Sequence, residues 1–226
     1  MHMLSRHDLA WLTPRGWERA SRHAEAGARR DIAGWGRAGW PAVVTRAHAD
    51  LGPGQVALGI ALPPLASDGS KPRIALSCAA GDFDRTGPAL ALADAIDAAP
   101  SGWRKALAVL DEEAADAGLD LRVYGSLAFQ SLTGQAYVTA TSDIDLLLHP
   151  ATALGYRQAL ALLARHACVL PLDGEIVFGG GDAVAWKELA GAQCGQARVL
   201  AKSLQGIALV RVDSLLAGLG ELPCSA

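Results

Sequence analysis

The run Asp143-Ile144-Asp145-Leu146-Leu147-Leu148 constrains the fold more than any other segment of the chain. Its apolar residues call for burial, and its length and bounds suit a strand. Side chains alternate along a strand, so Asp143 and Asp145 point one way. Ile144 and Leu146 point the other way, into a core. Two carboxylates side by side repel each other, so a strand otherwise built of Ile and Leu needs a compensating cation. Mg²⁺, or Mn²⁺ in its place, suits an all-oxygen donor set and keeps open positions for phosphate oxygens. Two such ions, about 3.5–4 Å apart, hold both the attacking and the leaving oxygen of an in-line displacement. An Asp-x-Asp pair by itself also fits an exposed edge strand with no ligand, so its context decides.

That context is specific. Val123-Tyr124-Gly125-Ser126 reads as a strand ending in Gly-Ser. Gly125 lets the backbone approach a phosphate closely, and the following amides and the Ser126 hydroxyl can bind its oxygens. The order is then strand, Gly-Ser, helix, strand, acidic pair. A third carboxylate is expected from Leu172-Asp173-Gly174-Glu175-Ile176-Val177, which carries two acids on one face. Glu175 is preferred, because it runs directly into an apolar strand, while Asp173 beside Gly174 reads as a turn residue. Glu175 would complete the metal site or accept the proton of an incoming hydroxyl. Lys202, on an otherwise apolar strand, fits a phosphate-binding point charge as well as a solvent-facing lysine. Lys187 reads as a surface residue. His149 ends the metal strand and is a poor Mg²⁺ ligand. Arg6-His7-Asp8 forms a polar cluster read as structural. Gly179-Gly180-Gly181 is a turn, since no Lys-Ser or Lys-Thr follows it.

The 226 residues are 51% apolar and 19% charged, which marks a folded globular chain. A net charge of −3, with no basic patch interleaved with aromatics, argues against DNA or RNA as a partner. The N-terminus lacks the apolar core of a signal peptide, and no apolar run is long enough for a membrane span. Cys78, Cys168, Cys194 and Cys224 are widely spaced, so idle thiols in a reducing cytoplasm are expected rather than zinc or disulfides. In the first part, strands are expected over 40–46, 55–62 and 73–77, after a helix-like segment over 17–32. Helices are expected over 88–98, 103–117 and 156–166, with Ser101 as an N-cap. Further strands are expected over 121–124, 144–148, 169–178, 199–203 and 207–212, and a short helix over 184–189. The reading is α+β: a small, mainly β domain over 1–86, then a catalytic domain over 87–226 with a mixed sheet and flanking helices.

The Gly-Ser strand end, the acidic pair and the third acid together resemble the nucleotidyltransferase superfamily. Sixteen residues separate Ser126 from Asp143, more than the compact spacing usual there. The inserted Leu132-Thr133-Gly134-Gln135-Ala136-Tyr137-Val138 narrows the likeness. With Tyr124 to Ser131 and Ser142 to Leu146, the chain resembles the malonate decarboxylase holo-acyl-carrier-protein synthases, or phosphoribosyl-dephospho-CoA transferases. Arg6-His7-Asp8-Leu9, Trp40-Pro41-Ala42-Val43-Val44, Leu172-Asp173-Gly174-Glu175, Ala183 to Leu189 and Val199 to Ser203 agree; residues 65–118 carry little of the likeness. The resemblance implies a nucleotidyltransferase-type fold and a defined reaction. The donor would be 2′-(5″-triphosphoribosyl)-3′-dephospho-CoA, the acceptor a serine of the apo acyl carrier protein subunit, and pyrophosphate would leave. Asp143, Asp145 and Glu175 would bind metal, with Gly125, Ser126 and Lys202 on the substrate. The alternatives are a Mg²⁺-dependent nucleotidyltransferase using ATP on a small molecule or protein, and an inactive binding module.

Overall fold

A computed structural model describes residues 4–192 and 195–220 of the chain, so Cys194 and Cys224 lie outside it. The chain forms an α+β protein of two compact units. The first comprises residues 1–89 together with Leu132–Tyr137 and Leu204–Gly206; the second holds the remainder.

The first unit contains β1 (Leu9–Leu12), α1 (Pro14–His23), α2 (Arg29–Arg37), β2 (Ala42–Val44), β3 (Gln55–Ala61), β4 (Arg73–Ala79) and β5 (Phe83–Gly87). The strands form an antiparallel sheet in the order β4-β3-β2-β1-β5. Leu9–Leu12 is thus an interior strand, between β2 and β5. Thr13 caps α1, accepting the Gly16 N–H at 3.0 Å, and Pro14 opens the first turn, where its missing N–H is harmless. The expected helix over 17–32 is broken. Ala24 is extended (ψ 158°), and a 3₁₀ turn at Ala26–Ala28 precedes α2. Trp17, Ile32, Trp35, Leu58 and Ile60 are buried, and each contributes about 1.5–3 kcal/mol relative to exposure. The inserted Leu132–Tyr137 segment belongs to this unit. Tyr137 is buried there, and its hydroxyl donates to Ala61 O at 2.7 Å. Burial pushes the Tyr137 phenol up to about 12.

The second unit contains β6 (Leu90–Ala91), α3 (Leu92–Ala95), α4 (Ser101–Asp116), β7 (Leu121–Tyr124), α5 (Gly125–Thr133, its last two residues counted with the first unit), β8 (Ile144–Leu148), α6 (Ala153–His166), β9 (Leu172–Val177), β10 (Ala183–Ala185), α7 (Trp186–Gly191), β11 (Arg198–Lys202), β12 (Ile207–Arg211) and α8 (Val212–Leu216). The sheet order is β12-β11-β10-β9-β8-β7-β6. Only the β8–β9 pair in it is parallel, joined through α6 as a parallel crossover requires. Two expectations fail here. The expected helix over 88–98 begins instead with strand β6, because Leu90 and Ala91 pair with Val123 and Arg122. Residues 184–189 are likewise split: Ala183 to Ala185 pair with β9, and the helix begins at Trp186. Pro100, not Ser101, is the N-cap of α4.

One face of this sheet is the core. Ile144, Leu146, Leu148, Leu172, Ile176, Val184, Val199 and Ala201 pack with Leu107 and Leu110 of α4 and Leu162 and Leu163 of α6. Cys78 is a buried free thiol pushed up to about 12 by burial and by the Asp82 charge, and Cys168 is an exposed free thiol. No described helix is long and apolar enough to cross a membrane.

Candidate active site

The acidic run takes the conformation its alternation demands. Asp143 is exposed just before β8, and Asp145 is half-buried on it. Ile144, Leu146 and Leu148 are buried on the core face, so Asp145 faces the opposite side of the sheet. Tyr124 of β7 pairs with Asp145. The next residue, Gly125, turns the chain from strand into α5 with φ +67°, a conformation that suits glycine. A Cβ there would collide with Asp145 Oδ2 and lie 3.0 Å from its Cγ. The Gly-Ser turn and the acidic strand are therefore one site. Gly125 leaves room for the carboxylate, and Ser126 follows in the first turn of α5.

The parallel register on the other side of β8 pairs Asp145 with Asp173 and Leu147 with Glu175. Asp173 thus lies in β9 rather than in a turn, directly beside Asp145. Gly174 between the two acids has φ +135°, and a Cβ there would meet Leu146 N at 2.6 Å and Leu146 C at 2.8 Å. Glycine is what lets β9 approach β8 at this level.

The two acids of β9 have different surroundings. Glu175 is buried (3% exposed) and accepts from Lys202 Nζ at 2.9 Å. Lys202 pairs with Ala183, which pairs with Val177, so both residues of the ion pair share the acidic face. Asp173 is about half exposed, with Lys187 Nζ 3.4 Å from its Oδ1. Among the described residues, no three His, Cys, Asp or Glu side chains converge as a ready-made metal cage. A divalent cation shared with substrate phosphates needs only one or two carboxylates, because water and phosphate oxygens fill the other positions. The all-oxygen donors of Asp143, Asp145 and Asp173 fit that kind of cation.

The polar cluster near the start lies in the first unit. Asp8 is buried and accepts the Ser5 N–H at 2.7 Å. His7 adopts φ +72°, its N–H donates to Val44 O, and its ring Nε2 is 3.0 Å from Arg6 Nη2. His149 is exposed beyond the end of β8.

Sequence reasoning had no signal for two features of this site. Pairing register decides which β9 acid stands beside Asp145, and spacing along β9 cannot reveal it. Lys187 reaches Asp173 because β10 pairs antiparallel with β9, and the local preference of that short strand points to helix.

Residues 5–89 match the family described as Phosphoribosyl-dephospho-CoA transferase MdcG N-terminal domain, and residues 91–213 match its C-terminal domain. A phosphoribosyl-dephospho-CoA transferase of Xanthomonas campestris is 41% identical over 191 residues, covering 84% of this chain and 87% of that protein. One from Bradyrhizobium diazoefficiens is 36% identical over 221 residues, covering 94% and 92%. One from Xanthomonas euvesicatoria is 37% identical over 213 residues, covering 92% and 94%. No solved structure matches the chain.

Proposed function

Because the chain belongs to the phosphoribosyl-dephospho-CoA transferase family, we propose that it transfers the triphosphoribosyl-dephospho-CoA prosthetic group to a serine of the apo acyl carrier protein subunit of malonate decarboxylase. The observation that carries this reading is the junction of Gly125-Ser126 with Asp145 on one sheet face, with Asp173 in register beside them. The reaction runs in the cytoplasm, on a protein acceptor and not on DNA or RNA.

The serine Oγ attacks the α-phosphorus of the donor. A new P–O bond forms, the bond to the β-phosphate bridging oxygen breaks, and pyrophosphate leaves. Such a transfer needs positioning and charge neutralisation more than covalent help. When bound, Mg²⁺ or Mn²⁺ supplies charge neutralisation at the phosphates. Asp143 and Asp145 would hold the cation. Register supports Asp173 as the third carboxylate. Glu175, bound to Lys202, remains the other candidate and also fixes the position of that lysine. The backbone N–H groups at Gly125 and Ser126 and the Ser126 hydroxyl orient phosphate oxygens. Lys202 adds a fixed positive charge on the same face. The serine proton passes to a carboxylate of this face, for which Glu175 and Asp173 are the candidates.

The test uses purified protein, Mg²⁺ and apo carrier protein, with either the triphosphoribosyl donor or ATP. Transfer is expected from the triphosphoribosyl donor alone. Asp143→Ala and Asp145→Ala should each abolish it while the circular dichroism spectrum is kept. Transfer from ATP with none from the triphosphoribosyl donor would overturn the substrate. An active Asp145→Ala enzyme would overturn the metal role.

A further inference from the structure

Two lysines stand on the acidic face, and they are held in different ways. Lys202 is paired with Glu175, whose side chain is almost fully buried. A buried carboxylate does not release its counter-ion readily, because separating a charge pair away from water is costly. Lys187 is paired with Asp173 at 3.4 Å, and both side chains are about half exposed, at 56% and 44%. An exposed pair of this kind contributes little to stability and exchanges easily with water. Lys202 is therefore a fixed charge and Lys187 a movable one.

The position of Lys187 follows from where β10 gives way to α7. Ala183, Val184 and Ala185 pair with Val177, Ile176 and Glu175; the chain then enters α7 at Trp186, and Lys187 in its first turn reaches Asp173. Asp173 is in turn level with Asp145. Two carboxylates facing each other across neighbouring strands repel, and the Lys187 ammonium offsets that repulsion in the free protein. Trp186, buried at 6% exposure, anchors the base of α7, while the lysine stem beyond it is flexible. A divalent cation drawn to Asp145 and Asp173 competes with Lys187 for the same oxygen. Once displaced, the ammonium is beside the anionic end of any polyphosphate bound there.

We propose that Lys187 is a phosphate-binding residue: it neutralises Asp173 in the free protein and moves to the pyrophosphate end of the donor when cation and donor arrive. This rests on the transferase reading above. Inorganic pyrophosphate is the probe, because it reports on Lys187 without needing the carrier or the full donor. Lys187→Met keeps the stem and removes the charge. With Mg²⁺ present, it should weaken pyrophosphate binding about tenfold by calorimetry, the loss of one charge-assisted contact. Lys187→Arg should retain most of the binding. Without phosphate, Lys187→Met should bind Mn²⁺ more tightly than wild type by electron paramagnetic resonance, because the competitor for Asp173 is gone. A folded Lys187→Met that binds pyrophosphate as wild type does overturns the proposal. A drop in Mn²⁺ affinity overturns the exchange. Failure of wild type to transfer from the triphosphoribosyl donor would instead overturn the transferase reading, and the two failures are separable.

Discussion

Gly125 and Asp145 occupy space that a single added methyl group would make incompatible. The left-handed turn at Gly125 brings its Cα against the carboxylate that pairs across from Tyr124. Gly125→Ala should therefore displace the Asp145 carboxylate and strain the turn, at about 1–3 kcal/mol. The expected outcome is a folded protein with transfer reduced at least about a hundredfold, as misplacement of a catalytic group by about 1 Å predicts. Thermal melting and transfer rates on the same preparation check it. An alanine variant with wild-type turnover would show that the close approach serves only folding.

Gly174→Ala should behave differently. The obstacle at Gly125 is a side chain that can rotate, whereas the obstacle at Gly174 is the backbone of Leu146. A Cβ there has to push β8 and β9 apart at the level where they carry Asp145 and Asp173. Destabilisation beyond about 3 kcal/mol is expected, in the range of severe backbone strain. Urea unfolding of the two glycine variants measures the contrast directly.

Breaking the Glu175–Lys202 pair from one side should be worse than removing both charges. Lys202→Met leaves the Glu175 carboxylate buried with its ammonium partner removed. The expected loss is about 3 kcal/mol, the lower end for broken buried pairs, because Lys202 is partly exposed. Adding Glu175→Gln to Lys202→Met should recover part of that stability. A double variant less stable than Lys202→Met would contradict this account. Chemical unfolding of the three variants gives the coupling.

Acid should act through α4 and α6. Glu113 of α4 accepts from Arg165 Nη2 at 2.6 Å and lies 3.2 Å from His166 Nε2, both on α6. These hydrogen bonds, with Arg165 foremost, hold the Glu113 carboxyl below its usual range. A lowered folded-state value adds stability above the ordinary glutamate range and loses it as pH falls through the folded value. Wild type should thus melt above Glu113→Gln at neutral pH, and the gap should close on acidification. A gap that widens in acid would reverse the sign.

Much of this arrangement is legible in the residues themselves. β7, β8, α4 and α6 follow from alternation or helical periodicity, and the link between Gly125 and the acidic strand follows from their order. What resists reading is set by tertiary pairing. β6 and β10 are two and three residues long and lack a β-branched run, so local preference points to helix and only their partners make them strands. Asp173 and Glu175 have the same spacing from the glycine between them, so composition cannot say which one faces Asp145. The register of β8 on β9 decides that, and the approach permitted by Gly174 helps to set it.

Tyr137 has a practical consequence for anyone dividing this protein. Its hydroxyl bonds Ala61, 76 positions earlier, and the 42 residues Leu90–Ser131 of the other unit lie between them along the chain. A fragment ending at Ala89 would lack the phenol that fills its own interior, and a fragment starting at Leu90 would carry that phenol into solvent. Cutting at the apparent boundary should give two poorly behaved pieces. Joining residues 132–137 to the first fragment through a short linker should improve its solubility, so the chain is not modular in the sense its length suggests.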